Sequence, residues 1–308
     1  MKKVLLLLVV LLIAGGALFG QQRTLIGYVC TNFNDTFQGY IMEEFRKYFA
    51  DKPQYTVEFQ DSQEDVVKQQ DQVNNFIAKG AKALVVVPVN TSAMAPITRA
   101  AQNAKIPLVY VNRNPFGTGN PPRNVFYVGS QEIVAGQLQA EAIGKLLNGQ
   151  GGVCILMGKL DNEGAILRTK GNEDTFKSKY KNIKVLAKET GNWQRDQGMS
   201  ITENWITTYG ANLKAILANN DEMALGAAQA LRAARRTDVI VMGVDAIPDA
   251  LTAVGNGTLA ATVLQDAAGQ GRGAAEAAVN ALTNKSQKAV TWIPFVLIDR
   301  SNLAQYRK

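Results

Sequence analysis

Histidine is missing from all 308 residues. A Ser-His-Asp or Cys-His nucleophile, a histidine general base and a histidine-ligated metal are therefore excluded. Cysteine is almost missing too, with Cys30 and Cys154 the two in the chain. Two thiols are too few for a metal cluster. Both lie in apolar, strand-like runs, where a free buried thiol is the default reading. A disulfide between them would need a proximity that sequence does not reveal. Aromatic residues make up 7% of the chain. The net charge of +7 includes Lys2 and Lys3, and the other basic residues are scattered apart from small groups such as Arg232, Arg235 and Arg236. With no basic block and no recognition motif, no nucleic-acid partner is expected. Gly269, Gly271 and Gly273 cluster without the G-x-G-x-x-G spacing, and no Walker lysine follows them, so a nucleotide is not expected either.

The N-terminus is the one place with a long apolar run. Met1-Lys2-Lys3 precedes apolar residues 4–14, then Gly15-Gly16-Ala17-Leu18-Phe19-Gly20, which supplies small residues for cleavage, and polar Gln21-Gln22. This is the pattern of a secretory signal peptide over residues 1–20, cleaved after Gly20 or after Ala17. The run is short of the ~20 residues that a spanning helix needs. No cysteine stands near the cleavage region to carry a lipid. The mature chain is expected to be exported to the periplasm.

From residue 25 the chain alternates between short apolar runs and amphipathic stretches. Strands are predicted at 25–30, 55–59, 83–87, 106–111 and 125–128, with helices between them. The pattern restarts after Asn148-Gly149-Gln150-Gly151-Gly152, with strands at 153–157, 184–188, 215–218, 239–243, 259–264 and 292–298. Strands that are apolar throughout and separated by helices predict parallel sheets covered on both faces. Two similar α/β units, each Rossmann-like and joined near residues 115–130, are the simplest account. A ligand would then lie in the cleft between them.

The turn at Leu217-Ala218-Asn219-Asn220-Asp221 shows where such a ligand would be met. A buried strand runs straight into a helix for which Asp221 reads as the N-cap. Asn220 is left at the carboxyl end of the strand, the end at which open α/β sheets bind ligands. Other strand ends supply Asp35, Asn112, Arg113, Asp245 and Gln265, and Asn162 and Arg168 follow the strand centred on Cys154. Phe33, Phe37 and Trp193 are the nearby aromatics. Each residue also has a plainer reading. Asp35 and Asp245 suit helix N-caps, Arg168 a solvated helix face, and Trp193 ordinary packing. Taken together, planar amides, carboxylates and guanidiniums can both accept from and donate to sugar hydroxyls, and a flat ring can stack on the apolar face of a pyranose.

These residues resemble the periplasmic sugar-binding proteins of bacterial ABC transporters, in the ribose and galactose/glucose branch. The resemblance covers nearly all of the mature chain. It is carried by 218–226 (Ala-Asn-Asn-Asp-Glu-Met-Ala-Leu-Gly), 243–251 (Gly-Val-Asp-Ala-Ile-Pro-Asp-Ala-Leu) and 259–266 (Leu-Ala-Ala-Thr-Val-Leu-Gln-Asp). It implies a type I binding-protein fold of two lobes joined by a three-segment hinge, with crossings near 128–132, 264–267 and 297–300. The N-terminal lobe would comprise 23–130 plus 267–298, and the C-terminal lobe 131–266 plus 299–308. The resemblance is strongest to the galactose/glucose-binding members, and it implies ligand contacts by Asp35, Phe37, Asn112, Arg113, Asn162, Arg168, Trp193, Asn220, Asp245 and Gln265. Phe37 and Trp193 would sandwich the ring.

The chain departs from that pattern at three places. Asn162 and Gly164 stand where it has a histidine and an aspartate. Gln265 replaces an asparagine and, with Arg113, matches the ribose-binding members. The calcium loop is absent, because residues 147–152 are too short and lack carboxylates. The resemblance implies capture of a monosaccharide, D-galactose or D-glucose first, and delivery to an inner-membrane permease. A pentose such as ribose or xylose, an inositol or a signalling furanose is the alternative. A chemoreceptor is a second implied partner. The protein is expected to be monomeric, with no cofactor, metal or catalytic residue. An exported glycosidase would need two carboxylates set across a scissile bond, for which Asp35 and Asp245 are the available pair.

Overall fold

The computed structural model describes residues 23–307. The expected leader, residues 1–20, lies outside them. No helix among the described residues is long and apolar enough to cross a membrane.

The first half alternates as its apolar runs dictate: β1 (Thr24–Cys30), α1 (Thr36–Phe49), β2 (Tyr55–Asp61), α2 (Val66–Ala78), β3 (Ala83–Val86), α3 (Ala95–Asn103), β4 (Leu108–Asn112) and β5 (Val125–Gly129). The second half repeats the pattern: α4 (Glu132–Leu146), β6 (Gln150–Met157), α5 (Glu163–Lys179), β7 (Asn182–Thr190), α6 (Arg195–Tyr209), β8 (Leu213–Ala218), α7 (Asp221–Ala233), β9 (Ile240–Asp245), α8 (Pro248–Asn256) and β10 (Ala261–Leu264). Then come α9 (Ala267–Leu282), β11 (Val290–Trp292) and β12 (Val296–Asp299). The strands form two sheets, ordered β11-β5-β4-β3-β1-β2 and β12-β10-β9-β8-β6-β7. Pairing is parallel throughout, except where β12 runs antiparallel to β10 at an edge. Each sheet is buried on both faces by apolar clusters, which is why its central strands carry no polar alternation.

The chain passes between the sheets three times: after β5, between β10 and α9, and between β11 and β12. The third passage uses residues 293–295, not the expected 297–300. The single strand expected over 292–298 is two strands, one in each sheet. Pro294 lies between them and has no N–H to offer a ladder.

The turn at residues 219–221 also differs from expectation. The N-cap of α7 is Asn220, whose Oδ1 accepts from Met223 N at 3.1 Å. Asp221 is the first helical residue and points inward. Its carboxylate accepts the Thr262 hydroxyl at 2.7 Å and the Ile247 N–H at 3.1 Å. Cys30 and Cys154 are free, buried and in different sheets, which excludes a bond between them.

Two helix pairs approach closely enough to matter for the site. A Cβ on Gly136 in α4 would overlap the Arg168 carbonyl of α5. One on Gly226 in α7 would overlap the Arg195 carbonyl of α6. These contacts hold the first turn of α4 against Arg168, and the turn before α6 against Asn220.

Candidate ligand-binding site

The carboxyl ends of the strands in both lobes face one another across a small cavity. From the first lobe it is lined by Asp35, Phe37, Gln38, Asn112 and Arg113. From the second it is lined by Glu132, Asn162, Gly164, Arg168, Trp193, Asn220, Asp245 and Gln265. All ten residues singled out from the sequence are therefore at one place. Phe33 is not; it is exposed at the surface. Gln38 and Glu132 were not anticipated. Gln38 follows Phe37 on α1 and reads as an ordinary helix residue. Glu132 opens α4, where an acid reads as a partner for the helix dipole.

In the first lobe, Asp35 caps α1, with Oδ1 accepting from Phe37 N at 2.9 Å and Gln38 N at 3.1 Å. Its N-cap reading and its place in the cavity thus hold together. Gln38 donates to Asn112 Oδ1 at 2.8 Å, and Asn112 donates to Gln270 Oε1 at 3.1 Å. Asn112, the last residue of β4, adopts a φ of 69°, a left-handed conformation that asparagine tolerates. Arg113 is anchored on the carbonyl of Pro88 at 3.1 Å.

In the second lobe Arg168 is the hub. It donates to Glu132 at 2.6 Å, to the Asn219 carbonyl at 2.6 Å and to Gln265 at 3.1 Å. Asp245 lies 3.8 Å from it. Arg168 is 5% exposed, so the plain reading of it as a solvated helix residue fails. Asn162 caps α5 through Gly164 N. Asn220 donates to the Trp193 carbonyl at 3.1 Å. Asp245 caps no helix: the N-cap of α8 is Ile247, without a side-chain bond. The backbone is instead twisted at the site, with φ of 68° at Trp193, 128° at Asp245 and 60° at Ala246. Positive φ in such residues is costly and concentrates at functional positions.

Burial decides the electrostatics. It raises the Asp35 carboxyl above its ordinary range, although Arg113 opposes the shift. It raises Asp245 further, with Arg168 opposing and Asp221 and Asp35 adding to the shift. Burial and the neighbouring Glu132 push Glu163, on the first turn of α5, up to about 8. Burial disfavours the charge on Arg168, but Glu132 and Asp245 more than restore it.

The lobes also touch around the cavity. Lys159 pairs with Glu64 at 3.1 Å. The Thr36 hydroxyl donates to Glu222 at 3.0 Å, and Thr91 N to the Asp161 carbonyl at 3.3 Å. The lining offers a dense set of fixed donors and acceptors with two aromatic side chains, an arrangement suited to a compact polyhydroxylated molecule. No group of three or more His, Cys, Asp or Glu side chains among the described residues is placed to hold a metal ion.

A family profile described as a periplasmic binding protein domain matches residues 26–286. A protein of Rhizobium meliloti, provisionally named a rhizopine-binding protein, is 37% identical over 310 residues, covering 100% of this chain and 99% of that one. A D-galactose/methyl-galactoside binding periplasmic protein of Haemophilus influenzae is 29% identical over 92% of both chains. Among solved structures, an ABC transporter solute-binding protein from Bacillus halodurans with bound myo-inositol superposes with a TM-score of 0.86 at 36% identity, covering 93% of this chain and 98% of that one. These relatives are substrate-binding transport proteins, not enzymes. The two-lobed α/β architecture, the profile match and the full-length relatives agree: the chain belongs to the periplasmic binding proteins, as a sugar-binding substrate protein of an ABC transporter.

Proposed function

We propose that the protein captures a single cyclic polyol, a pyranose or an inositol, in the interlobe cavity and presents it to an ABC permease. The observation that carries this reading is the convergence of Asp35, Asn112, Arg113, Arg168, Asp245 and Gln265 on one buried cavity with Phe37 and Trp193. Each polar group that a ligand left unmatched would cost about 1–3 kcal/mol, which makes such a lining selective.

The ligand class is wider than D-galactose and D-glucose. The aspartate of the galactose/glucose pattern is replaced by Gly164, and Gln265 is the ribose-type residue. Relatives named for rhizopine, D-galactose, ribose and xylitol, and a structure with bound myo-inositol, support a small polyhydroxylated molecule rather than one epimer. The test is a thermal-shift and calorimetry panel with glucose, galactose, ribose, xylose, xylitol and myo-inositol. A ligand that binds only the native state raises the melting temperature in step with concentration over Kd. The expected result is a shift with a hexose or an inositol and little with the open-chain xylitol. A shift with ribose alone would move the reading to pentoses, and no shift with any would overturn it.

A further inference from the structure

The charges around the cavity do not balance. Asp35, Glu132 and Asp245 line it, and Glu163 precedes the lining residue Gly164 on α5. Against these four carboxylates are two guanidiniums, Arg113 and Arg168. Nearby cations are already engaged: Lys159 with Glu64, and Arg195 with Glu222 and Asp249. A fifth carboxylate, Asp221, is buried behind Asp245.

Glu132 brings one of these carboxylates from α4, where Arg168 pairs with it at 2.6 Å. A Cβ on Gly164 would lie 3.6 Å from its Cδ. A carboxylate that does not arise from position 164 is therefore delivered to the same place from α4. The close contact of Gly136 with the Arg168 carbonyl holds it there. Unmet hydrogen-bonding capacity is of both kinds, since the lining residue Trp193 leaves its Nε1 donor unpartnered. Gln38, 2% exposed, lines the cavity with Oε1 unpartnered, and Glu163 Oε2 has no partner among the described residues. Both are acceptors. An ammonium group is all donor, and a buried anion without a counter-charge is costly.

We propose that the preferred ligand is a cyclic polyol bearing a positively charged amine, with Glu132 as the residue that sets this preference. This rests on the polyol reading of the same cavity. The raised Asp35, Asp245 and Glu163 carboxyls fit it. Around neutral pH the cavity offsets its excess negative charge by retaining protons, and an incoming ammonium displaces them.

The test is calorimetry on the mature protein with matched pairs: D-glucose and D-glucosamine, D-galactose and D-galactosamine, myo-inositol and an amino-deoxy-inositol. It is run at about pH 6.5, where an aliphatic amine is protonated, in two buffers of different ionisation enthalpy. The expected result is that the amine member of at least one pair binds ten-fold or more tightly than its neutral partner, with release of protons to the buffer. Glu132→Gln, which keeps an oxygen for Arg168, is expected to shrink that ratio at least five-fold. If the neutral members bind and no amine exceeds its partner, the inference is wrong while the polyol reading stands. If no member of any pair binds, both fail.

Discussion

Glu132, on the first turn of α4, accepts a 2.6 Å hydrogen bond from Nε of Arg168 on α5, with both side chains almost fully buried. The same carboxylate accepts from Gln265 at 3.3 Å. Gln265 in turn accepts from Arg168, so α4, α5 and the segment after β10 meet in one closed ring of bonds. Such a ring fixes the position of every member. Its cost is that losing one member leaves a buried charge exposed to no water.

Glu132→Ala is therefore expected to destabilise the protein by about 3 kcal/mol, because Arg168 loses its strongest partner inside the core. Glu132→Gln is expected to cost less than half of that. Urea unfolding followed by circular dichroism checks both, and equal stability of wild type and Glu132→Ala would contradict the account.

Asp221 reaches no ligand position, yet it is expected to control one. It holds the Ile247 N–H and the Thr262 hydroxyl, and so pins the turn in which Asp245 and Ala246 take positive φ. Asp221→Ala is expected to weaken polyol binding at least ten-fold as Asp245 loses its aim. Calorimetry measures this directly, and unchanged affinity in the folded variant would remove Asp221 from that role.

Stability is expected to fall as pH rises from about 5 to 8. Burial moves Asp221 from 3.8 up to about 7, and burial with Glu132 moves Glu163 from 4.5 up to about 8. Between those limits the native state holds protons that the unfolded chain has released, so raising pH favours unfolding. With no histidine in the sequence, an opposing imidazole contribution is absent. Melting temperatures across this range check the sign. Glu163→Gln is expected to flatten the slope.

Much of the architecture was legible because the cues were local. Apolar runs of four to eight residues marked the strands, and polar residues at their carboxyl ends marked the cavity. Asn220 was singled out correctly as a strand-end residue, but the cap was assigned to its neighbour. Both side chains suit an N-cap, and Asp221 is diverted by Thr262 and Ile247, partners 41 and 26 residues away. The third crossing carried a signal in Pro294, which the continuous apolar run from 292 to 298 obscured. Glu132 carried none: its meaning depends on two helices packing through Gly136 and Gly171, and no spacing in the sequence expresses that.

Trp193→Ala is expected to lower polyol affinity at least ten-fold while leaving the fold intact. The side chain lines the cavity and lies over Gly158, and its ring supplies the flat surface on which a pyranose or inositol face would stack. Calorimetry with the best ligand of the panel checks the affinity, and a melting curve checks the fold. Unchanged affinity would place Trp193 outside the site.

The two thiols give each lobe its own reporter. Cys30 lies in β1 of the first sheet and Cys154 in β6 of the second, and burial pushes both up to about 12. Neither reacts readily until the lobe around it opens. Time-resolved alkylation, read peptide by peptide, therefore times the unfolding of the two lobes separately in the unmodified protein. A polyol that clamps both lobes slows both reactions together, whereas one held by a single lobe slows only that lobe's cysteine.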